Sequence, residues 1–158
     1  LSPGMPRVNP LIPIDWKWVA LRRLPYHGHT LTYFAARHGN RFHIYTDQDL
    51  ESNHGVERYD RDVSSKVHAF STSAAVVALQ RTGETMILVG NVGSQTSVVP
   101  LDLGEVIDPK VEYTTRMYNS ERGAWTDDHA TSARQATSFA VAIEANGFRA
   151  IELRERRA

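Results

Sequence analysis

Thr85-Met86-Ile87-Leu88-Val89-Gly90-Asn91 is the stretch whose reading decides the fold. Ile87, Leu88 and Val89 are consecutive, so in an extended chain they point to both faces. A strand that is apolar on both faces belongs in the middle of a sandwich. The Thr82-Gly83 turn leads into it from Ala74 to Gln80. Helix propensity would permit a helix there, but Val76, Val77 and the flanking Ser and Thr favour a buried strand.

Outward from this centre the pattern repeats in short alternating runs separated by turn residues. Downstream, Val99, Leu101 and Leu103 alternate with Pro100, Asp102 and Gly104, a half-buried strand near an edge because proline cannot donate to a ladder. Val111, Tyr113, Thr115 and Met117 alternate next, and Glu121-Arg122-Gly123 turns the chain toward Trp125. Phe139, Val141 and Ile143 form a further strand, and Asn146-Gly147, the best hairpin signal present, predicts a return through Ile151 and Leu153. Upstream, Trp16, Trp18, Leu21 and Leu24 read as a strand that breaks at a Pro25–Gly28 corner and restarts at Leu31 and Tyr33. His38-Gly39-Asn40 is a tight turn, Phe42 and Ile44 share one strand face, Asp47 to Gly55 is a polar loop, and Lys66 to Phe70 resumes a strand.

These runs predict an all-β fold, an antiparallel β-sandwich of about eight to nine strands. Pro3, Pro6, Pro10 and Pro13 mark residues 1–15 as an extended N-terminal arm or linker, since proline fixes φ and holds its predecessor extended. Residues 16–158 read as one domain, and Leu1 in place of Met points to a fragment of a longer chain.

Composition narrows the function classes. The 158 residues contain 18 Lys plus Arg against 18 Asp plus Glu, a balance that gives no global field to attract nucleic acid or an anionic membrane. The Arg154, Arg156 and Arg157 cluster reads as a solvated tail. No cysteine is present, so disulfides, thiolate metal sites and cysteine nucleophiles are excluded together. No apolar run approaches the ~20 residues of a membrane span, and no signal-peptide pattern opens the sequence; the compartment is left open.

Candidate chemistry lies in three sets of residues. Trp16, Trp18, Tyr26, Tyr33, Tyr118 and Trp125 offer flat rings on which sugar rings could stack, and Trp16 and Trp18 serve equally as core or interface anchors. His27 and His29 sit two residues apart and could share a side, but zinc needs a third ligand that no spacing marks. The alternative is that Tyr26, His27 and His29 tie the Pro25–Gly28 corner. Asp47, Asp49 and Glu51 alternate in the polar loop, as a hard cation such as calcium would require, without the EF-hand pattern. Asp60, Asp62, Asp127 and Asp128 read as solvated loop acids, and no catalytic residue is assigned.

Two stretches carry a family resemblance. "RVNPLIPIDWKWVALRRLPYHGHTLTY", residues 7–33, resembles the segment that leads from an (α/α)6 barrel into a C-terminal β-sandwich in bacterial glycoside hydrolases. "MILVGNVGSQTSVVPLDLG" (86–104), "MYNSERGAWTD" (117–127) and "FAVAIEANGFRAIELRE" (139–155) look like the C-terminal β-domain that closes many glycosidases. The resemblance implies an accessory domain that packs on a catalytic domain holding the catalytic acids, and so carries no catalytic residue over. The alternatives are a carbohydrate-binding module using Trp16, Trp18, Tyr26, His27, His29 and Trp125, or a small hydrolase or lyase using His27, His29 and a loop acid.

Overall fold

A computed structural model describes residues 6–7 and 15–156. The strands in chain order are β1 (Trp18–Tyr26), β2 (His29–His38), β3 (Arg41–Thr46), β4 (Gly55–Arg58), β5 (Arg61–Asp62), β6 (His68–Ala69) and β7 (Ala74–Arg81). They continue with β8 (Glu84–Asn91), β9 (Ser97–Asp102), β10 (Glu112–Asn119), β11 (Ala124–Trp125), β12 (His129–Thr131), β13 (Ser138–Ile143) and β14 (Phe148–Arg156). Nine of these are six residues or longer, which matches the strand count expected from the alternation. The alternation does not anticipate the one-turn helix α1 (Ala133–Ala136), which opens on a Ser132–Gln135 capping box, the Ser-x-x-Gln pattern of a helix start.

Three sheets stack. The middle one runs β11-β10-β14-β8-β7-β5, with β12 also paired to β10. One outer sheet is β1-β2-β3-β4 and the other is β13-β9-β6. Successive residues of a strand face opposite sides, so β8 sends Ile87 and Val89 into the core shared with Val99, Leu101, Val141 and Ile143 of the small sheet. Met86 and Leu88 point the other way, into a second core with Phe34, Ala36 and Tyr45 of the N-terminal sheet. The unbroken apolar run of β8 follows from this arrangement: both faces of its sheet are covered. Full burial of one such side chain stabilises by about 1.5–3 kcal/mol, so both cores are needed to hold the central strands.

The strand expected near an edge, β9, lies between β13 and β6, and three further sequence expectations change. The Pro25–Gly28 corner is a continuous hairpin: β1 runs to Tyr26, and His27 and Gly28 form a two-residue turn with φ of 48° and 79°. Both values are left-handed, the requirement of a two-residue turn that suits the twist of its strands. Pro25 breaks nothing because β1 is an edge strand, where alternate N–H groups have no ladder partner. The irregularity lies earlier, as a bulge between Leu21 and Leu24 with Arg23 at φ 54°. Its amide donates to Thr32 Oγ1 at 3.1 Å.

The second change concerns Asn146-Gly147. The turn exists, with Asn146 at φ 58°, but β13 pairs with β9 and β14 pairs with β8 and β10. The chain therefore switches sheets here. Glu144 anchors the switch: its carboxylate accepts from Lys17 Nζ at 2.8 Å, Ser120 Oγ at 2.8 Å and Arg149 Nη1 at 2.7 Å. Asn91 Nδ2 adds bonds to the carbonyls of Ile143 and Glu144 at 3.1 and 3.2 Å.

The third change concerns the C-terminal arginines. Arg154 and Arg156 lie within β14, with Arg154 paired to Asp128 at 2.6 Å and Arg156 to Glu112 at 3.5 Å. Arg157 lies outside the described residues. Pro3, Pro10 and Pro13 of the arm do too; Pro6 and Arg7 lie against the 47–55 loop, where Glu51 N donates to Pro6 O at 2.8 Å. Antiparallel pairing prevails between strands, except that β4 pairs with β3 in parallel.

Two substitutions test the stacking. A Cβ placed on Gly90 would lie 2.3 Å from the Trp18 ring, so Gly90→Ala is expected to cost about 1–3 kcal/mol in urea unfolding, and less in a Trp18→Ala background. Glu144→Ala leaves buried Arg149 without its carboxylate and is expected to cost about 3–5 kcal/mol by the same measurement.

Candidate functional site

The interface between the middle and N-terminal sheets changes character along its length. On β14 the side chains facing the N-terminal sheet run Phe148, Ala150, Glu152, Arg154, and on β10 Tyr118 gives way to Arg116. The apolar end is an aromatic ladder. Trp18 stacks on Phe34 with centroids 5.3 Å apart, Phe34 meets Phe148 at 5.8 Å, Phe148 stacks on Tyr118 at 5.5 Å, and Tyr118 meets Trp125 at 5.5 Å. Each such contact adds about 0.5–1.5 kcal/mol beyond area burial, which makes this end the cement between the sheets.

The other end opens into a cleft of about 480 Å³ whose lining includes His38, His43, Glu57, Arg116, Trp125 and Glu152. Its carboxylates are neutralised from behind. Glu57 Oε2 accepts from Tyr59 Oη at 2.7 Å and Arg81 Nη2 at 2.9 Å, and Oε1 lies 3.4 Å from His43 Nε2. The hydrogen bond with His43, with Tyr59 and Arg81 adding, outweighs burial and holds the Glu57 carboxyl down at about 2. Glu152, 8% exposed, meets Arg116 Nη2 at 2.8 Å and Arg154 Nε at 2.9 Å. The Arg116 guanidinium also lies 4.2 Å over the Trp125 ring, a cation–π contact that fixes both side chains.

Burial, helped by the nearby His43, lowers the His38 pKa to about 4. Its ring contacts Tyr118 at 4.2 Å, and Nε2 is buried with no hydrogen-bond partner among the described residues. Tyr45, walled in by the same sheets, has its hydroxyl pushed up chiefly by burial.

The residues singled out from sequence fall in three places. Trp16, 52% exposed, and half-buried Trp18 line a separate groove of about 420 Å³ with Val92 and Asn146. Trp16 precedes β1, so the two tryptophans do not share a strand face. Tyr26, His27 and His29 are at the tip of the β1–β2 hairpin, with the Tyr26 and His27 rings edge to face at 4.4 Å. Trp125 lines the inter-sheet cleft.

Asp47, Asp49 and Glu51 are not gathered on a common point. Asp47 is buried and accepts from Thr32 N at 2.9 Å, Asp49 lies 3.2 Å from Arg58, and Glu51 lies 2.9 Å from Arg7. No group of three His, Cys, Asp or Glu among the described residues could hold a metal ion. Burial raises the Asp47 pKa, and its bond from Thr32 N marks it as a structural acid. Asp62 is likewise engaged, accepting from Thr32 Oγ1 at 2.7 Å and Ser64 N at 2.8 Å.

Sequence reasoning missed His38, His43, Glu57, Arg116 and Glu152. A signal for one was present: Glu152 sits two residues beyond Ala150 and four beyond Phe148, a charge at an inward position of a strand buried on both faces. The others needed the pairing of distant strands.

Fold and site together define a three-layer β-sandwich with a polar cleft between two of its sheets. No family model matches this chain, and no curated protein matches it. Among solved structures it is similar to a candidate α-N-acetylgalactosaminidase of Bacillus halodurans C-125, with a TM-score of 0.40 and 16% identity over 55% of this chain. The chain spans 19% of that protein, and a likeness this distant carries no argument. Among the described residues no helix is long and apolar enough to cross a membrane.

The pH dependence of stability follows from His38. Its folded pKa of about 4 lies below the ordinary 6.5, so between these values the unfolded chain binds the extra proton. Stability is therefore expected to fall by roughly 2 kcal/mol as pH drops from 7 to 4.5, measured by urea unfolding. His38→Gln is expected to flatten that limb. Glu57 and Glu144, held at about 2, act at lower pH: their contribution is present above 4.5 and lost toward 2.

Proposed function

We propose that this chain is an accessory, non-catalytic β-sandwich of a glycoside hydrolase, packing on a separate catalytic domain and stabilising it. The carrying observation is the condition of its half-buried and buried carboxylates. Glu144 is raised by burial, but hydrogen bonds from Lys17, Arg149 and Ser120 outweigh that and bring it to about 2. Glu57 is held at a similar value, and Glu152 is clamped between two arginines. A carboxyl fixed in its ionised form has no proton to donate to a leaving group, and one locked by guanidinium groups is a poor nucleophile. Acids held this way do not fit the part of a catalytic pair.

Support for docking comes from the Trp16 groove. Trp16 is 52% and Val92 60% exposed, side by side on a wall otherwise anchored by Lys17 and Glu144. Stretch 7–33, with its likeness to the segment leading from a barrel into a glycosidase C-terminal domain, and stretches 86–104, 117–127 and 139–155, with their likeness to that domain, supply the choice of partner. A single stacking platform made of Trp16, Trp18, Tyr26 and Trp125 has less support, because those residues lie in three separate places.

The complete gene product is expected to carry a helical-barrel domain ahead of this chain. In that full-length protein, calorimetry of Trp16→Ala and Val92→Asp should show a lowered unfolding temperature for the barrel, with the sandwich transition unmoved. A gene product without such a domain, or a barrel transition indifferent to both changes, removes the reading.

A further inference from the structure

We infer that the cleft between the N-terminal and middle sheets, walled by Trp125 and edged by His43, Glu57, Arg116 and Glu152, binds a neutral carbohydrate chain. The starting point is a cost. Glu152 and Arg116 occupy inward positions where neighbouring residues on the same strands are Ala150 and Tyr118. Buried ion pairs at such places stabilise little compared with apolar residues of similar volume. Stability alone does not account for keeping them in a cleft that is open to solvent.

Apart from exposed Arg41 at the rim, the charges that line the cleft are matched by partners. Glu57 is matched by Arg81 and His43, and Glu152 by Arg116 and Arg154. An ionic ligand would have to compete with these internal partners. A ligand rich in hydroxyl groups would not, because each hydroxyl both donates and accepts. It could give a hydrogen bond to a carboxylate oxygen and take one from an imidazole or guanidinium N–H. Because the ion pairs hold these groups in fixed orientations, little side-chain freedom is lost on binding.

The remaining features agree. Trp125 and the Arg116 guanidinium stacked on it give the cleft a flat, rigid wall, suited to the C–H face of a sugar ring. A volume of about 480 Å³ lies within the range of small-ligand sites. His38, half-buried in the cleft lining and packed against Tyr118, braces the wall.

The inference rests on the carbohydrate-active reading above for its choice of probes, and its test is separate. Affinity electrophoresis of this chain through gels containing xylan, arabinan, galactan, mixed-linkage β-glucan or starch is expected to show retardation on at least one of them. Pectin, an anionic polysaccharide, is expected to retard it less than the neutral polymer it prefers. Trp125→Ala should reduce the association constant at least tenfold, and Trp16→Ala, in the other groove, should leave it unchanged. Since Trp125→Ala also removes a sheet contact, a second measurement leaves Trp125 in place: a bound oligosaccharide should protect tryptophan fluorescence from acrylamide quenching in Trp16→Phe, which keeps Trp18 and Trp125. His43→Gln, which keeps ring-free hydrogen bonding, should weaken binding without lowering the unfolding temperature to the same degree. The inference is overturned by no retardation on any neutral polymer, by retardation that survives Trp125→Ala, or by stronger binding to pectin. Binding in a chain whose gene encodes no barrel would keep this inference and remove the accessory-domain reading; the reverse result would do the opposite.

Discussion

The middle sheet must be covered on both faces, and the rest of the molecule follows from that. Strands β7 and β8 carry unbroken apolar runs and β14 is buried on both faces over Phe148–Leu153, so a two-layer sandwich would leave one of their faces in water. The small sheet of β9 and β13 covers one side and the N-terminal sheet covers the other. The two covers are unequal. The small sheet contributes an aliphatic core, whereas the N-terminal sheet is fastened at one end by an aromatic ladder and at the other by ion pairs. A partly polar interface admits a cleft that an aliphatic one would close.

Glu144 shows how the layers are held in relation to one another. It stands at the sheet switch between β13 and β14, and its partners come from the segment before β1, the turn after β10, and β14 itself. A carboxylate that accepts from three donors offsets its burial. It also makes the approach of the N-terminal sheet depend on the same group that sets the chain's path between the other two.

Much of the fold was legible because β strands announce themselves locally. Alternation located β9, β10 and β13, and the double-sided run of β8 placed it at the centre. The turns at Gly39, Gly83 and Gly123 fell where glycine supplied left-handed backbone. The reading failed where a local signal has two tertiary outcomes. Asn146-Gly147 makes a turn whether the next strand pairs with the last or crosses to another sheet. Pro25 was read as a breaker, yet on an edge strand it removes no hydrogen bond. The acids at Asp47 and Asp62 sit in loop-like sequence, and only the partners Thr32 and Ser64 reveal them as structural, Asp47 buried and Asp62 half-buried.

The sequence by itself determined the strands, their turns and the apolar faces, because those depend on side-chain periodicity and backbone preference within a few residues. The cleft was decided by tertiary structure alone. His43 and Glu57 come from parallel neighbours β3 and β4, Arg116 and Glu152 from β10 and β14, and Trp125 from the short β11. Their chemistry depends on contacts across sequence separations that no local pattern encodes. The tryptophans followed the same division: sequence marked all three as rings with work to do, and packing made Trp18 a cement, Trp16 an exposed edge and Trp125 a wall.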